Sequence, residues 1–223
     1  MLEQTYPENT QIELLKANQA STNQDYDAAI KQLTDLMANS DQSQIVIELA
    51  RNQWQSGDRQ GAISSLELWS ESKRSNDVLL LLAELYLREK RDADAAATYA
   101  SLEESLPRNP TILNNLAWSL KDSNPEKGLE YARQANEIAP SNPLIMDTLA
   151  MLLLKTGDSK QALEVVRRAA NIAPQVGEIQ LNLAEILAAN GKKDEARKVL
   201  ENLLENVNQE QAKQIIRDRI ESL

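Results

Sequence analysis

The sequence predicts an all-α protein, an open α-solenoid of six helix pairs closed by a capping helix at the C-terminal end. Three observations carry that reading. Small residues return every 33 or 34 positions along most of the 223-residue chain. The apolar residues around them follow helical spacing, and no stretch alternates convincingly with the period of two that a strand requires. Gly 6 and Pro 7 are few, which argues against a loop-rich or all-β chain.

The repeat sets the order of the elements. One series of small residues is Ala17, Ala50, Ala83, Ala117, Ala150 and Ala184; a second is Ala29, Ala62, Ala95, Gly128, Ala162 and Ala196. The two series lie 12 residues apart in every unit except the fourth, where they lie 11 apart. Residues 1–9 are a lead-in, and six units follow at about 10–42, 43–75, 76–109, 110–142, 143–176 and 177–208. Each reads as two short helices. In the fifth, Ile145, Leu149, Leu152 and Leu153 make one helical face, Gly157-Asp158 breaks the chain, and Ala162, Leu163, Val166, Ala169 and Ala170 make a second face. Asn142-Pro143 opens that unit and Pro174 ends it. Two antiparallel helices joined by a short turn approach most closely where Ala or Gly removes side-chain bulk, so Ala150 is expected to face Ala162.

Residues 209–223 leave the period. Ile215, Ile216 and Ile220 are expected to form one apolar face on a charged helix, as a terminal cap of a stacked array needs. No matching cap is evident before residue 10, so the chain is compatible with the C-terminal part of a longer array.

Composition removes several classes of chemistry. Cys is absent and His is 0, so a thiol nucleophile, a Ser-His-Asp triad, a His general base and a Cys/His zinc site are all excluded within the chain. No Gly-rich phosphate loop is present. Acidic pairs such as Glu103-Glu104 and Asp92/Asp94 read as solvated helix faces and turns. The expectation is therefore a non-enzymatic protein without metal or cofactor. A net charge of −10 argues against nucleic acid or an anionic membrane as partner, since both need a basic surface, and favours solubility. No apolar run exceeds six residues (Val78–Ala83, Leu149–Leu154), so no segment is long enough to insert in a membrane. The first residues show no export signal.

The paired small-residue series, with Tyr86, Tyr99 and Pro107, Pro140 and Pro174, resembles the tetratricopeptide repeat, a 34-residue helix–turn–helix unit, over about residues 10–208. The resemblance implies a right-handed superhelix. Leu36, Trp69, Leu102 and Leu203 depart from it, standing where that repeat usually has Ala. The runs Asn114-Asn115-Leu116-Ala117-Trp118, Asn142 to Ala150 and Gly191 to Arg197 are also similar to bacterial repeat lipoproteins of exopolysaccharide and exosortase (PEP-CTERM) systems. That narrower resemblance implies a periplasmic location and leaves a polysaccharide open as partner; without it the cytoplasm is expected.

The tetratricopeptide resemblance implies a concave groove built from the first helix of each pair, and a protein or peptide partner. On the side opposite the packing residues stand Asn18, Arg51, Trp54, Glu84, Arg88, Asn114, Trp118, Lys121, Asp147, Met151, Lys155 and Glu185. Trp54 and Trp118 read either as peptide anchors or as fillers between units, whereas Trp69 lies at a packing slot and reads as core. Some family members clamp a partner's terminal carboxylate with Lys and Asn. Here Leu14, Glu48, Glu178 and Asn182 occupy the needed slots and only Asn18 fits, so that mode is disfavoured. Others hold a peptide backbone with groove Asn residues; Asn115 and Asn182 match, but Glu48, Leu81 and Thr148 interrupt the series. Two functions follow from the resemblance. One is a non-catalytic scaffold that binds a protein segment in the groove. The other is a structural part of an envelope polysaccharide-export or protein-sorting assembly.

Overall fold

The computed structural model describes residues 6–223, with side chains from Thr10 onward. Within that range the chain is helical from end to end, and no strand occurs among the described residues. The first helices of successive pairs are α1 (Tyr6–Thr22), α3 (Ser43–Ser56), α5 (Asn76–Arg88), α7 (Pro110–Ser119), α9 (Pro143–Lys155) and α11 (Gly177–Ala189). Their partners are α2 (Tyr26–Met37), α4 (Arg59–Ser72), α6 (Asp92–Ser105), α8 (Pro125–Ile138), α10 (Ser159–Ile172) and α12 (Lys193–Asn206), followed by α13 (Glu210–Glu221). The chain divides into two compact units, one ending at Ser105 and one beginning at Leu106.

In the first unit each helix packs on the next, from α1 to α6, and α3 also touches α5. Ala17, Ala29, Ala50, Ala62, Ala83 and Ala95 are fully buried, as expected of residues that let paired helices approach. Around them lie Leu33, Ile45, Leu49, Ile63, Leu66, Leu102 and Tyr99, and Trp69 is core. The Tyr86 hydroxyl donates to Glu67 Oε1 at 2.7 Å and ties α5 to α4. Burial, reinforced by Glu67, holds that phenol well above its ordinary range.

In the second unit α7 to α13 pack in the same sequential way, and Ala117, Ala150, Ala162, Ala184 and Ala196 are again buried. The α7–α8 pair is tighter still. A Cβ on Gly128 would stand 2.9 Å from the Ala117 carbonyl oxygen and 3.2 Å from Leu152 Cδ2, so only glycine fits that crossing.

The turns explain the odd spacing of the fourth pair. In the other five pairs the residue that reverses the chain is left-handed: Gln24 (φ 62°), Gly57 (94°), Lys90 (58°), Gly157 (94°) and Gly191 (75°). An aspartate follows in three of them and caps the next helix: Asp25 accepts from Ala28 N, Asp58 from Gly61 N and Asp158 from Gln161 N. Between α7 and α8 no left-handed residue occurs. Instead α7 stops early, at Ser119, a longer turn over residues 120–124 follows, and Asn124 caps α8 ahead of Pro125.

One expectation fails in α13. Ile216 is only 2% exposed and Ile220 packs partly against the core, but Ile215 is 50% exposed. Adjacent helical residues diverge by about 100°, so the i, i+4 pair Ile216/Ile220 takes the seam and turns Ile215 to solvent. Arg219 adds an ion pair to Glu185 of α11 at 3.1 Å.

Candidate peptide-binding groove

Helices α3 and α5 each spend one stripe on packing: Ile45, Val46, Leu49 and Ala50 on α3, and Val78, Leu82, Ala83 and Tyr86 on α5, are buried. The stripes left over face a common hollow. On α3 the wall is Ser43, Gln44, Ile47, Glu48 and Arg51; on α5 it is Asp77, Leu80, Leu81 and Glu84; the space between them is about 500 Å³. At Arg51, Leu81 and Glu84 it continues into a second hollow of about 320 Å³, where Ala50, Trp54, Gln55, Leu85 and Arg88 complete the lining. Four of the residues singled out in the sequence, Arg51, Trp54, Glu84 and Arg88, thus share one groove. Ile47, Leu80, Asp77 and Glu48 lie one or two turns nearer the helix starts. Sequence reasoning passed over them as site residues, yet the i−3, i−4 and i−7 positions of Arg51 and Glu84 mark them.

The groove is unevenly charged. Glu48 is paired with Arg51 at 3.0 Å. Among the described residues Asp77 and Glu84 have no ion-pair partner. Half-buried Trp54 carries the guanidinium of Arg59 at 5.5 Å and that of Arg88 at 5.8 Å from its ring centre. Its aromatic surface is therefore already matched by cations of the same chain.

The candidates on α7 and α9 are engaged differently. Trp118 is half-buried beneath the Lys121 ammonium, 4.8 Å from the ring centre. Lys121 and Lys155 both pair with Asp122, and Lys155 above all holds the Asp122 carboxyl below its usual range. Asn114 Nδ2 donates to Asn115 Oδ1 at 3.3 Å, while Met151 packs against the core. Asp147, expected on the groove wall, is only 6% exposed. Its Oδ2 accepts from Asn182 Nδ2 of α11 at 2.7 Å, and its Oδ1 is buried without a partner. Burial first, and Glu178 in addition, push the Asp147 carboxyl up to about 6, against the opposing effect of the Asn182 hydrogen bond. Of the outlying candidates, Glu185 is held by Arg219, and Asn18 is half-buried on α1.

The tetratricopeptide repeat family profile matches residues 37–209. The chain belongs to the tetratricopeptide repeat family. No curated protein matches its sequence. Among solved structures, a tetratricopeptide repeat protein from Parabacteroides merdae is similar with a TM-score of 0.82 at 15% identity, over 96% of this chain and 86% of that one. A thermophilic tetratricopeptide repeat protein from Thermus thermophilus gives a TM-score of 0.66 at 19% identity, over 80% of this chain and 97% of that one. Yeast Tom70 gives 0.64 at 17% identity, over 87% of this chain and 42% of that one. At these identities the likeness is one of fold. Tetratricopeptide repeat proteins are typically non-catalytic and commonly serve as protein-interaction scaffolds. No helix among the described residues is long and apolar enough to cross a membrane.

Proposed function

We propose that this tetratricopeptide repeat protein is a non-catalytic scaffold that holds a segment of a partner protein in the groove between α3 and α5. One observation carries the reading: the helix stripes left over from packing line two adjoining hollows of about 500 and 320 Å³ with apolar residues interleaved among charged ones. An aliphatic side chain laid on Ile47, Leu80 and Leu81 gains about 25 cal/mol per Å² of apolar surface removed from water. The polar lining residues can satisfy backbone groups that would otherwise be buried unpaired.

The test is selection of a random twelve-residue peptide library on the wild-type chain, followed by rebinding to a Leu81→Trp variant in which an indole fills the junction of the two hollows. Selected peptides are expected to lose binding to the variant while its circular dichroism stays helical. Peptides that bind both proteins equally well place the interaction elsewhere and end this reading.

A further inference from the structure

Resting on that reading, we infer that the occupant of the α3–α5 groove is an extended cationic segment, with two basic side chains about three residues apart and an aliphatic residue between them.

The charge of the larger hollow points that way. It holds three carboxylates, Glu48, Asp77 and Glu84, against the single guanidinium of Arg51. Arg51 is already committed to Glu48. Neighbouring charges outside the groove are matched: Arg59 with Glu89, and Arg91 with Glu67 and Asp94. In the larger hollow Asp77 and Glu84 have no such match, and the other unmatched charge of the groove, Arg88, lies at its far end over Trp54. Both carboxylates stand beside Leu80 and Leu81; Asp77 is exposed, whereas half-buried Glu84 is partly shielded from water and gains more from an incoming cation.

The two carboxylates are seven residues apart on α5, which is about 10 Å along the helix axis. An extended chain of the polyproline-II kind advances about 3.1 Å per residue with about three residues per turn, so side chains three residues apart point the same way and span about the same distance. Between them the segment crosses Leu80, Leu81 and Ile47, which suits an aliphatic group. The far end of the groove sets a limit. Arg88 and Arg59 lie against Trp54, so a third cation extending in that direction meets repulsion, and the indole does not serve as its anchor.

The experiment is isothermal titration calorimetry of the full chain with three synthetic peptides. The first is acetyl-Ser-Lys-Leu-Ala-Lys-Ser-amide; the second replaces both lysines with glutamate; the third keeps the composition but places the lysines side by side. The first is expected to bind most tightly, to weaken steeply between roughly 50 and roughly 500 mM salt, and to lose at least about tenfold in affinity to an Asp77→Asn/Glu84→Gln variant. Both replacements are near-isosteric at sites without ion-pair partners, so helical content should not change. If the glutamate peptide binds as well or better and is displaced by Leu81→Trp, the groove reading stands and the cationic inference falls. If lysine-peptide binding ignores the carboxylate variant, or no lysine peptide binds at all, the inference is overturned, and the groove reading then rests on the library-selected peptides alone. Equal affinity for the two lysine spacings overturns the register while leaving the charge preference.

Discussion

Replacing Asp147 with asparagine should stabilise the second compact unit at neutral pH and lose that advantage in acid. The buried carboxyl titrates near 6 in the folded chain, against 3.8 for an unperturbed aspartate. A shift of about two pH units corresponds to about 3 kcal/mol. Because the folded-state value is raised, the native chain holds its proton more tightly than the unfolded chain. Stability from this group is complete below about pH 4, declines as pH rises toward 6, and is lost above it. The Asp147→Asn substitution removes the charge and keeps an oxygen for the Asn182 amide, but it turns the unpartnered Oδ1 into a buried donor, at a cost of about 1 kcal/mol. The variant should therefore gain about 2 kcal/mol at pH 7.5 and lose about 1 kcal/mol at pH 4. The difference between pH values cancels every other titrating group common to both proteins. Urea unfolding followed by circular dichroism reads it: with a slope of about 2 kcal/mol per molar, the midpoint of the variant should move up by about 1 M at pH 7.5. An equal shift at both pH values, or a less stable variant at pH 7.5, would refute the assignment of a destabilising buried charge.

Three further outcomes follow from the packing. Gly128→Ala should cost about 1–3 kcal/mol, because the new methyl meets backbone that cannot rotate away, and thermal melting will show it. Lys90→Gly should stabilise by a few tenths to about 1 kcal/mol, and Gly157→Ala should destabilise by about 1 kcal/mol, since both sit at left-handed turns and nothing crowds Gly157; matching signs in the two melts would contradict the shared turn geometry. Ile216→Ala should cost about 2–4 kcal/mol and Ile215→Ala less than about 0.5 kcal/mol, a contrast that chemical denaturation resolves and that equal losses would overturn.

The parts of this structure that could be read in the sequence are those fixed by neighbours along the chain. The alanine series declares itself because each crossing repeats at one interval. The Gly-Asp turns are legible because the left-handed residue and the capping carboxylate are adjacent. Even the fourth pair announced its different turn, through an 11-residue interval in place of 12. What escaped depends on helix rotation and on side chains that meet across a repeat. Asp147 finds Asn182 at 35 residues' distance, and Lys155 finds Asp122 at 33. A few degrees of roll decide whether such a residue lines a groove or lies under a neighbour. The same geometry divided Ile215 from Ile216. On α3 and α5 the outward stripe was recognised, but only its half toward the helix ends was named; the acidic half at Asp77 required the hollow itself to be seen.

The distribution of indoles gives the molecule an optical address for each compact unit. The chain has no phenylalanine and only three tryptophans. Trp54, flanked by guanidiniums, and Trp69, in the core beneath Lys73, both lie before Ser105, whereas Trp118 lies after Leu106. Emission from Trp118 alone, in a chain with the other two replaced by tyrosine, therefore reports melting of the second unit by itself. Emission from Trp54 alone follows the groove, where a ligand that displaces Arg59 or Arg88 changes the field at the ring and so shifts its colour without any label being attached.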